Sequence, residues 1–430
     1  MAFGKFQDFL SGLVKGQRGL FSGVTPPTMD ELLEKLMGNT GEVSAAVAAR
    51  ELLDLYNQSD DDTRRAFFHD LEKNFNANEA LVRLAYESYS KNPSSLNLNK
   101  LSRAAEPRRH ELMRRLNQTP GATHDLVSMR TDLLKYVKDN PELKAVDETF
   151  MRLFKSWFGR GFLVLQTIDW STSAAILERI IRYEAVHAIK DWDDLRSRVD
   201  PPNRRCFAFF HPSLTDEPLI FVEVALGKEV PASIDSILED KVDTDTDSSQ
   251  FTTATFYSIS NCQPGLKNIT FGNFLIKQVV QELQLEFPSI KQFVTLSPIP
   301  GFHRWLSLNS EEESEELATL KAEVLAVGNT LEAVEEHGEA IRRLVFNYLI
   351  QAKKGTYPAD PVARFHLGNG AMIHQVNIGA DLSEKGLEQS FGTMVNYLYD
   401  LRYIERNHES YVTEGSIEFN DKLKGLLVKL

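Results

Sequence analysis

Two polar side chains stand where this sequence predicts the end of a structural element. Ser297 closes the apolar run QFVTLS, which predicts a strand, and it precedes the stiff turn Pro298-Ile299-Pro300-Gly301. His366 stands just before Asn369-Gly370, a pair typical of tight turns. A hydroxyl and an imidazole can bind a carboxylate or transfer a proton, whereas a serine in a turn and a lone histidine commonly serve structure alone. From the residues alone, both interpretations stay open.

A third candidate is a phosphate-binding turn at the start of a predicted helix. The segment 251–297 reads as strand, turn, helix and strand, the pattern of two parallel strands connected by one helix. Such a unit leaves an open site at the strand ends, where the amides of the helix N-terminus can bind phosphate. Asn273 lies near the predicted N-cap, with Lys267 and Lys277 close in sequence. Many α/β folds carry such a turn without a phosphate, so the pattern alone identifies no ligand.

Several common catalytic and metal-binding motifs do not occur in the sequence. There is no His-Glu-x-x-His or Cys-x-x-Cys, and His366 and His374 are too far apart for a zinc pair on one helix. The Gly-x-Ser-x-Gly, Walker and Gly-x-Gly-x-x-Gly motifs are also missing. The two cysteines, Cys206 and Cys262, are too few for a disulfide scaffold and are typical of a reducing compartment. The sequence leaves open whether either forms a disulfide between subunits.

Composition limits the classes of function that the chain can have. Its 430 residues are 42% hydrophobic and 25% charged, which predicts a folded protein of two or three domains. No apolar run reaches the roughly 18 residues that a membrane span needs. The formal net charge of −13 argues against a nucleic-acid partner, whose binding surface should be basic. Most of the excess of acidic over basic residues lies in 235–248 and 311–340, away from Lys267 in the sequence. The net charge is therefore compatible with the binding of a polyanion smaller than a nucleic acid near Lys267.

The first third of the chain has almost uninterrupted helical periodicity. Thr28 and Glu31 are spaced as a capping box at the start of this part. Helices are predicted up to Gly38 and then at 43–57, 61–75, 78–90, 99–116, 123–138 and 145–157. Because no fixed repeat occurs, a bundle of about seven helices is predicted rather than a solenoid. A basic run between Lys100 and Arg115 is explained more simply by a solvated helix face or a subunit contact than by polyanion binding, and we assign it no function.

Strands appear after about residue 159. The predicted elements are a hairpin of strands at 206–211 and 219–226, helices at 311–327, 331–353 and 383–402, and a strand pair around 364–379. Together with the unit at 251–297, they predict a mixed α/β region that follows the helical one.

Four blocks in this second region together resemble the malonyl-CoA decarboxylase family. The blocks are FYSISNCQPGL (256–266), FGNFLIKQVVQEL (271–283), LSPIPGFHRWL (296–306) and DPVARFHLGNGA (360–371). The similarity covers most of 155–405 in the same order, and the helical first third is consistent with it. Four matching blocks in order are far more specific than any single motif.

The resemblance implies a fold, a reaction and a set of site residues. The implied fold is α+β and multidomain, with an α-helical domain at 1–157 that mediates assembly and a GNAT-like (acyl-CoA N-acyltransferase fold) catalytic domain at 158–430. The implied reaction converts malonyl-CoA to acetyl-CoA and CO2. Ser297 and His366 match the catalytic pair and would also contact the substrate. The implied malonyl-CoA-binding loop consists of Lys267, Asn268, Ile269, Thr270, Phe271, Gly272 and Asn273, with an acidic residue in place of Thr270 in some family members.

The implied chemistry needs none of the missing motifs. Loss of CO2 from a β-carboxy thioester leaves an enolate, and the thioester carbonyl accepts the electrons, so we expect no metal and no organic cofactor beyond the CoA of the substrate and product. The reaction needs a donor at the developing oxyanion, a group that holds the carboxylate and a proton donor for carbon. We expect Ser297 to hold the carboxylate and His366 to donate the proton or to stabilise the enolate oxygen. The sequence does not divide these roles between the two.

Two other functions stay compatible with the sequence. A GNAT-type acyltransferase would use the same loop to acylate an amine of a second substrate, and a CoA-binding scaffold would bind CoA without consuming it. Ser297 before its Pro-x-Pro turn, together with His366, favours the decarboxylase. The expected partners are malonyl-CoA, acetyl-CoA and further copies of the chain in a dimer or tetramer. A bacterial cytoplasm is the expected location and the mitochondrial matrix the alternative, since residues 1–22 could form either a transit peptide or a docking helix.

Overall fold

The computed structural model describes residues 26–214, 216–239, 247–269, 274–308 and 314–428. The amphipathic segment 1–22 and four members of the predicted CoA loop, Thr270 to Asn273, lie outside the described residues. The chain divides into two compact units. The first unit comprises 1–162, 211–215 and 263–270, and the second comprises 163–210, 216–262 and 271–430.

The first unit is a bundle of α-helices. In the part that the structure describes, they are α1 (Met29–Met37), α2 (Glu42–Gln58), α3 (Asp61–Asn74), α4 (Glu79–Lys91), α5 (Ser95–Ala104), α6 (Arg108–Leu116), α7 (Ala122–Tyr136) and α8 (Lys144–Trp157). The predicted capping box is confirmed at the start of α1, where the Glu31 amide donates to Thr28 Oγ1 and the Thr28 amide donates to Glu31 Oε2. Apolar residues at helical spacing, among them Leu52, Phe68 and Phe150, fill the core.

The single helix predicted at 99–116 is wrong, because the segment forms two helices. One helix, α5, ends at Ala104, and α6 begins at Arg108 with Pro107 as its N-cap. Proline has no amide hydrogen to donate and disfavours a helical conformation in the residue before it. The apolar periodicity continues through the break, which explains why the pattern alone did not reveal it.

Three of the basic residues of this segment, Arg109, Arg114 and Arg115, contact other residues of the bundle. Arg109 is buried and donates to Thr149 Oγ1 at 3.0 Å. Glu111 forms ion pairs with Arg114 at 3.1 Å and with Arg115 at 2.8 Å. These contacts support the structural interpretation of the basic run.

The second unit is built on a mixed eight-stranded sheet. Its strands are β1 (Val164–Ile168), β2 (Arg204–Phe210), β3 (Pro218–Gly227), β4 (Thr253–Asn261), β5 (Gln292–Thr295), β6 (Ser297–Pro298), β9 (Met372–Asn377) and β10 (Met394–Leu398), with β7 (Lys353–Lys354) and β8 (Tyr357–Pro358) forming a separate pair. Their order is β1-β2-β3-β4-β5-β10-β6, and β9 pairs with β10. The pairing of β4 with β5 is parallel, and the other described pairings in the sheet are antiparallel.

Helices accompany this sheet and connect its strands. They are α9 (Ala174–Tyr183), α10 (Trp192–Val199), α11 (Asp235–Leu238), α12 (Phe274–Glu286), α13 (Phe302–Leu306), α14 (Glu315–Val327), α15 (Leu331–Gln351), α16 (Pro361–Gly368), α17 (Glu384–Ser390) and α18 (Ile404–Glu414). Because α12 lies between the parallel strands β4 and β5, the predicted strand–helix–strand unit is confirmed. The predicted order of an α-helical bundle followed by an α/β region is also confirmed.

Both cysteines lie in the interior of the second unit. Cys206 of β2 and Cys262, which follows β4, are free thiols and are buried. They belong to one apolar cluster with Ile180 of α9 and Leu195 of α10. Neither thiol therefore lies at a surface where it could meet a cysteine of another subunit.

Candidate active site

The structure brings Ser297 and His366 into direct contact in the second unit. Ser297 Oγ and His366 Nε2 are 3.0 Å apart, although 69 positions separate the two residues in the sequence. Both side chains are buried, with Ser297 5% exposed and His366 3% exposed. A buried hydroxyl and imidazole at hydrogen-bonding distance form a polar pair that can act on a bound molecule.

The end of the sheet positions Ser297. It pairs with Val395 in the antiparallel ladder of β6 and β10. The turn after it is tied to the helix that carries His366, because the Gly301 amide donates to Asp360 Oδ2 at 3.4 Å. Glycine is needed at position 301, because a Cβ there would lie 2.2 Å from the hydroxyl of Tyr348 and would clash with it.

His366 lies on a helix rather than in the strand pair predicted around 364–379. Asp360 caps α16, with its Oδ1 accepting from the amides of Val362 and Ala363 at 2.9 Å each, and proline occupies the first helical position. These are typical helix-start signals, which the prediction overlooked. Gly370, at φ +86°, follows the end of this helix, and the predicted strand that comes next is confirmed as β9.

Two tyrosines that the sequence analysis missed complete the surroundings of His366. The hydroxyl of Tyr399 is 2.8 Å from His366 Nδ1, and the ring of Tyr397 stacks on the imidazole with centroids 4.7 Å apart. Tyr397 belongs to β10 and Tyr399 follows it, so the helix predicted at 383–402 is wrong beyond Ser390, where α17 ends. The valine and two tyrosines of MVNYLY (394–399), residue types that favour strands, could have revealed this strand.

Burial keeps the imidazole neutral and the phenol protonated. Removal from water lowers the pKa of His366 to about 3. The same effect raises the pKa of Tyr399 well above its ordinary value. At neutral pH, His366 therefore has one N–H donor and one nitrogen acceptor.

The neighbouring hydrogen bonds indicate which nitrogen of His366 carries the proton. Ser297 donates its hydroxyl hydrogen to Thr295 Oγ1 at 2.8 Å, so its oxygen can accept from His366 Nε2–H. Because Tyr399 keeps its proton, its hydroxyl can donate to the free Nδ1. The result is a chain of hydrogen bonds that runs in one direction, from Tyr399 through His366 and Ser297 to Thr295.

Ser297 and His366 line a cavity of about 380 Å³ in the second unit. Most of its wall is apolar and comes from β3, β4 and α12, including Ile220, Val222, Phe256, Ile259, Leu275 and Ile276. Such a wall lowers the local dielectric constant and strengthens the hydrogen bonds of the polar pair.

The predicted CoA-binding loop is described in part. Lys267 and Asn268 are exposed and Ile269 is buried, and all three belong to the first unit. Thr270, Phe271, Gly272 and Asn273 lie outside the described residues, and α12 begins at Phe274. Among the described residues, no three His, Cys, Asp or Glu side chains form a group that could bind a metal.

Family models match both units of the chain. The model for the malonyl-CoA decarboxylase C-terminal domain matches residues 161–429, and the model for the N-terminal domain of the same family matches residues 75–158. The chain belongs to the malonyl-CoA decarboxylase family. It is therefore an enzyme of the lyase class.

Individual members of the malonyl-CoA decarboxylase family agree with this assignment. A crystal structure of the enzyme from Rhodopseudomonas palustris has a TM-score of 0.86 and 47% identity, covering 93% of this chain and 100% of that one. The structure from Agrobacterium vitis has a TM-score of 0.84 and 44% identity over the same shares. The mitochondrial malonyl-CoA decarboxylase of the goose Anser anser anser is 35% identical over 349 residues, which are 74% of this chain and 69% of that protein.

Proposed function

We propose that the protein converts malonyl-CoA to acetyl-CoA and CO2 at Ser297 and His366. The observation that carries this proposal is the buried Ser297–His366 pair on the wall of an apolar cavity. Both residues stand in the sequence blocks that resemble the family. The described contacts then suggest how each side chain takes part.

Ser297 is proposed to hold the carboxylate that leaves as CO2. When its hydroxyl turns from Thr295 toward the substrate, it can donate to a carboxylate oxygen and orient the breaking carbon–carbon bond perpendicular to the enolate plane. The electrons of that bond move into the thioester carbonyl, and no metal or organic cofactor is needed to accept them. The apolar wall favours this step, because water would stabilise the charged carboxylate more than the neutral CO2.

His366 is proposed to act through its Nε2–H. A neutral imidazole with its proton on Nε2 can stabilise the enolate oxygen. It can deliver that proton to the carbon that has lost CO2 when the Tyr399 hydroxyl gives its own proton to Nδ1 in the same step, and water then restores the proton of Tyr399. The reaction as a whole takes up one proton, which ultimately comes from water. The Tyr399 hydroxyl at Nδ1 supports this assignment, since it favours the tautomer with the proton on Nε2.

The direct test is to incubate the purified chain with malonyl-CoA alone and to follow acetyl-CoA by mass spectrometry. We expect stoichiometric acetyl-CoA and CO2 without an added metal or second substrate. A GNAT-type acyltransferase would instead require an amine and give an acylated product. A CoA-binding scaffold would bind malonyl-CoA and leave it unchanged, and either of these results would contradict the proposal.

Replacing Tyr399 by phenylalanine should slow decarboxylation without abolishing it. The variant keeps the ring but loses the hydroxyl 2.8 Å from His366 Nδ1, so the imidazole can adopt the other tautomer. Loss of a group that orients a catalytic side chain commonly lowers the rate by about 10- to 100-fold. The measurement is kcat, and Tyr411→Phe, which removes another buried phenol of the same unit, is the matched control. Equal kcat values for the two variants would contradict the role of Tyr399.

We also propose that the protein forms a homo-oligomer, a dimer or a tetramer, through its helical unit. The helices α4 and α5 contribute no buried residue to the bundle. Their exposed apolar side chains are Leu81, Leu84, Tyr86, Leu96 and Leu98, which are between 49% and 66% exposed. So many large apolar groups on one helix pair are typical of a surface that another protein covers, and a second copy is the proposed occupant.

The double variant Leu84→Glu with Leu96→Glu should dissociate this oligomer. Burying two carboxylates in an apolar interface costs several kcal/mol, on the order of what a dimer contact supplies. Light scattering coupled to size-exclusion chromatography measures the mass. Leu285→Glu, at a leucine that is 78% exposed on α12, should leave the mass unchanged. If both variants keep the wild-type mass, α4 and α5 do not form the interface.

We propose a bacterial cytoplasm as the location of the reaction, with the mitochondrial matrix as the alternative. Bacterial relatives at 47% and 44% identity support the first, and the mitochondrial enzymes at 35% and 34% identity keep the second open. Among the described helices, none combines the length and the apolar character that crossing a bilayer requires.

A further inference from the structure

A buried arginine of the helical bundle binds the backbone that leads into the predicted CoA-binding loop. Arg130 lies on α7 and is 0% exposed. Its Nη1 donates to the carbonyl oxygen of Gly265 at 2.7 Å and to that of Lys267 at 2.9 Å. Its Nε donates to Asp147 Oδ1 at 2.7 Å, which neutralises the buried charge.

The same backbone lies directly against α7. A Cβ on Gly265 would be 1.9 Å from the carbonyl oxygen of Val127, so only glycine allows this approach. Leu266, which lies between the two residues that Arg130 contacts, and Ile269, which follows them, bury their side chains. The residues 263–270 accordingly belong to the first unit, although the strands before and after them in the chain belong to the second.

The segment adopts a defined turn conformation. A short 3₁₀ helix, Pro264–Leu266, precedes Lys267, and Asn268 has a φ of +65°. Asparagine adopts this left-handed region more readily than most residues with a side chain. The bond from Arg130 to the Lys267 carbonyl lies next to Asn268 and holds the backbone in this conformation.

The geometry of Arg130 differs from that of an arginine that stabilises only the bundle. Arg109 is also buried, and its described bonds go to side chains and backbone of helical-bundle residues, such as Thr149 and Ala145. Arg130 instead directs one nitrogen at two carbonyls of the segment 263–269. The ion pair with Asp147 joins two helices, whereas the bonds to the two carbonyls join α7 to a segment outside the α-helices.

We infer that Arg130 is a positioning residue for malonyl-CoA binding, because it fixes the described start of the CoA-binding loop, Lys267 to Ile269. This inference rests on the proposed function of that loop. It assigns a role in substrate binding, in addition to assembly, to the helical unit. The effect belongs to binding and not to the chemical step, because Arg130 acts through the backbone of the loop.

The test compares Arg130→Met with Arg109→Met. Both variants replace a buried arginine of the bundle by a side chain of similar length that cannot donate. We expect Arg130→Met to raise the KM for malonyl-CoA, and the dissociation constant for CoA measured by calorimetry, by about 10-fold or more, with kcat changed by less than about 3-fold. Arg109→Met should lower the melting temperature while KM and CoA affinity stay near wild type.

A second variant covers the case in which Arg130→Met does not fold. Gly265→Ala places a methyl group against α7 and should displace the same segment, with the same rise in KM and in the CoA dissociation constant. The inference is overturned if the folded variants bind CoA as the wild type does, or if Arg109→Met weakens binding equally. The proposed function fails separately if the wild-type protein binds CoA but leaves malonyl-CoA unchanged. In that case the CoA affinities of the variants still decide the role of Arg130.

Discussion

Replacing His366 by asparagine is expected to lower kcat for malonyl-CoA decarboxylation by about 10²- to 10⁴-fold, the contribution typical of a positioned proton donor. Asparagine is polar and can occupy the helix, but it cannot deliver a proton to carbon. The bond to Ser297 at 3.0 Å and the bond to Tyr399 at 2.8 Å would both be lost or rearranged. Acetyl-CoA formation under saturating malonyl-CoA measures the effect.

The matched control for this variant is His374→Asn, a half-buried histidine on β9 in the same unit. It should leave kcat unchanged, and a similar loss in both variants would mean that the effect is structural. The pH profile gives an independent reading. Since burial lowers the pKa of His366 to about 3, the imidazole stays neutral above pH 5, and kcat should show no inflection near the ordinary histidine value of about 6.5. An inflection there that disappears in His366→Asn would contradict a neutral donor.

Replacing Ser297 by alanine is expected to lower kcat by about 10²- to 10³-fold, as the loss of one preorganised donor at a reacting group commonly does. The variant removes the hydroxyl by which this residue hydrogen-bonds His366 and Thr295, and it leaves the strand pairing with Val395 intact. We expect the His366→Asn, Ser297→Ala double variant to be scarcely worse than the poorer single variant, because the two side chains act on one step.

Ser258→Ala is the matched control for Ser297. Ser258 is buried on β4 in the same unit, and its hydroxyl donates to Glu184 Oε2 at 2.7 Å. Its loss should lower the free energy of unfolding by about 1 kcal/mol and leave kcat near wild type. If Ser297→Ala and Ser258→Ala have the same kcat and the same stability, Ser297 has only a structural role.

Local patterns in the sequence were sufficient for much of the fold. Helical periodicity and the Thr28 capping box predicted the bundle. A helix that buries one face needs apolar residues that recur about every 3.6 positions, and this recurrence is visible in the sequence. The strand–helix–strand unit of β4, α12 and β5 was also predictable from spacing alone. Where the patterns failed, a local signal opposed them. Pro107 broke a helix despite continued periodicity, and Asp360-Pro361 started one where a strand pair was expected.

Local sequence patterns predicted less of the candidate site than of the fold. Ser297 and His366 were each identifiable, but their contact depends on β10. This strand pairs with β6 and carries Tyr397 beside His366, and Tyr399 directly follows it. Pairing between segments so far apart in the chain leaves no spacing rule in the sequence, so the resemblance to a family was the source of that prediction. Tyr399 was missed because the strand before it was taken for a helix. Arg130 was missed because its bonds go to backbone carbonyls, which any residue provides.

The buried positions of Cys206 and Cys262 bear on the redox behaviour of the protein. Burial raises the pKa of both thiols, so neither forms the thiolate that oxidants and disulfides attack. The sequence contains no other cysteine. Under oxidising conditions the folded chain therefore has no accessible thiol that could form a disulfide between subunits. Neither assembly nor turnover should therefore depend on the thiol balance of the surroundings.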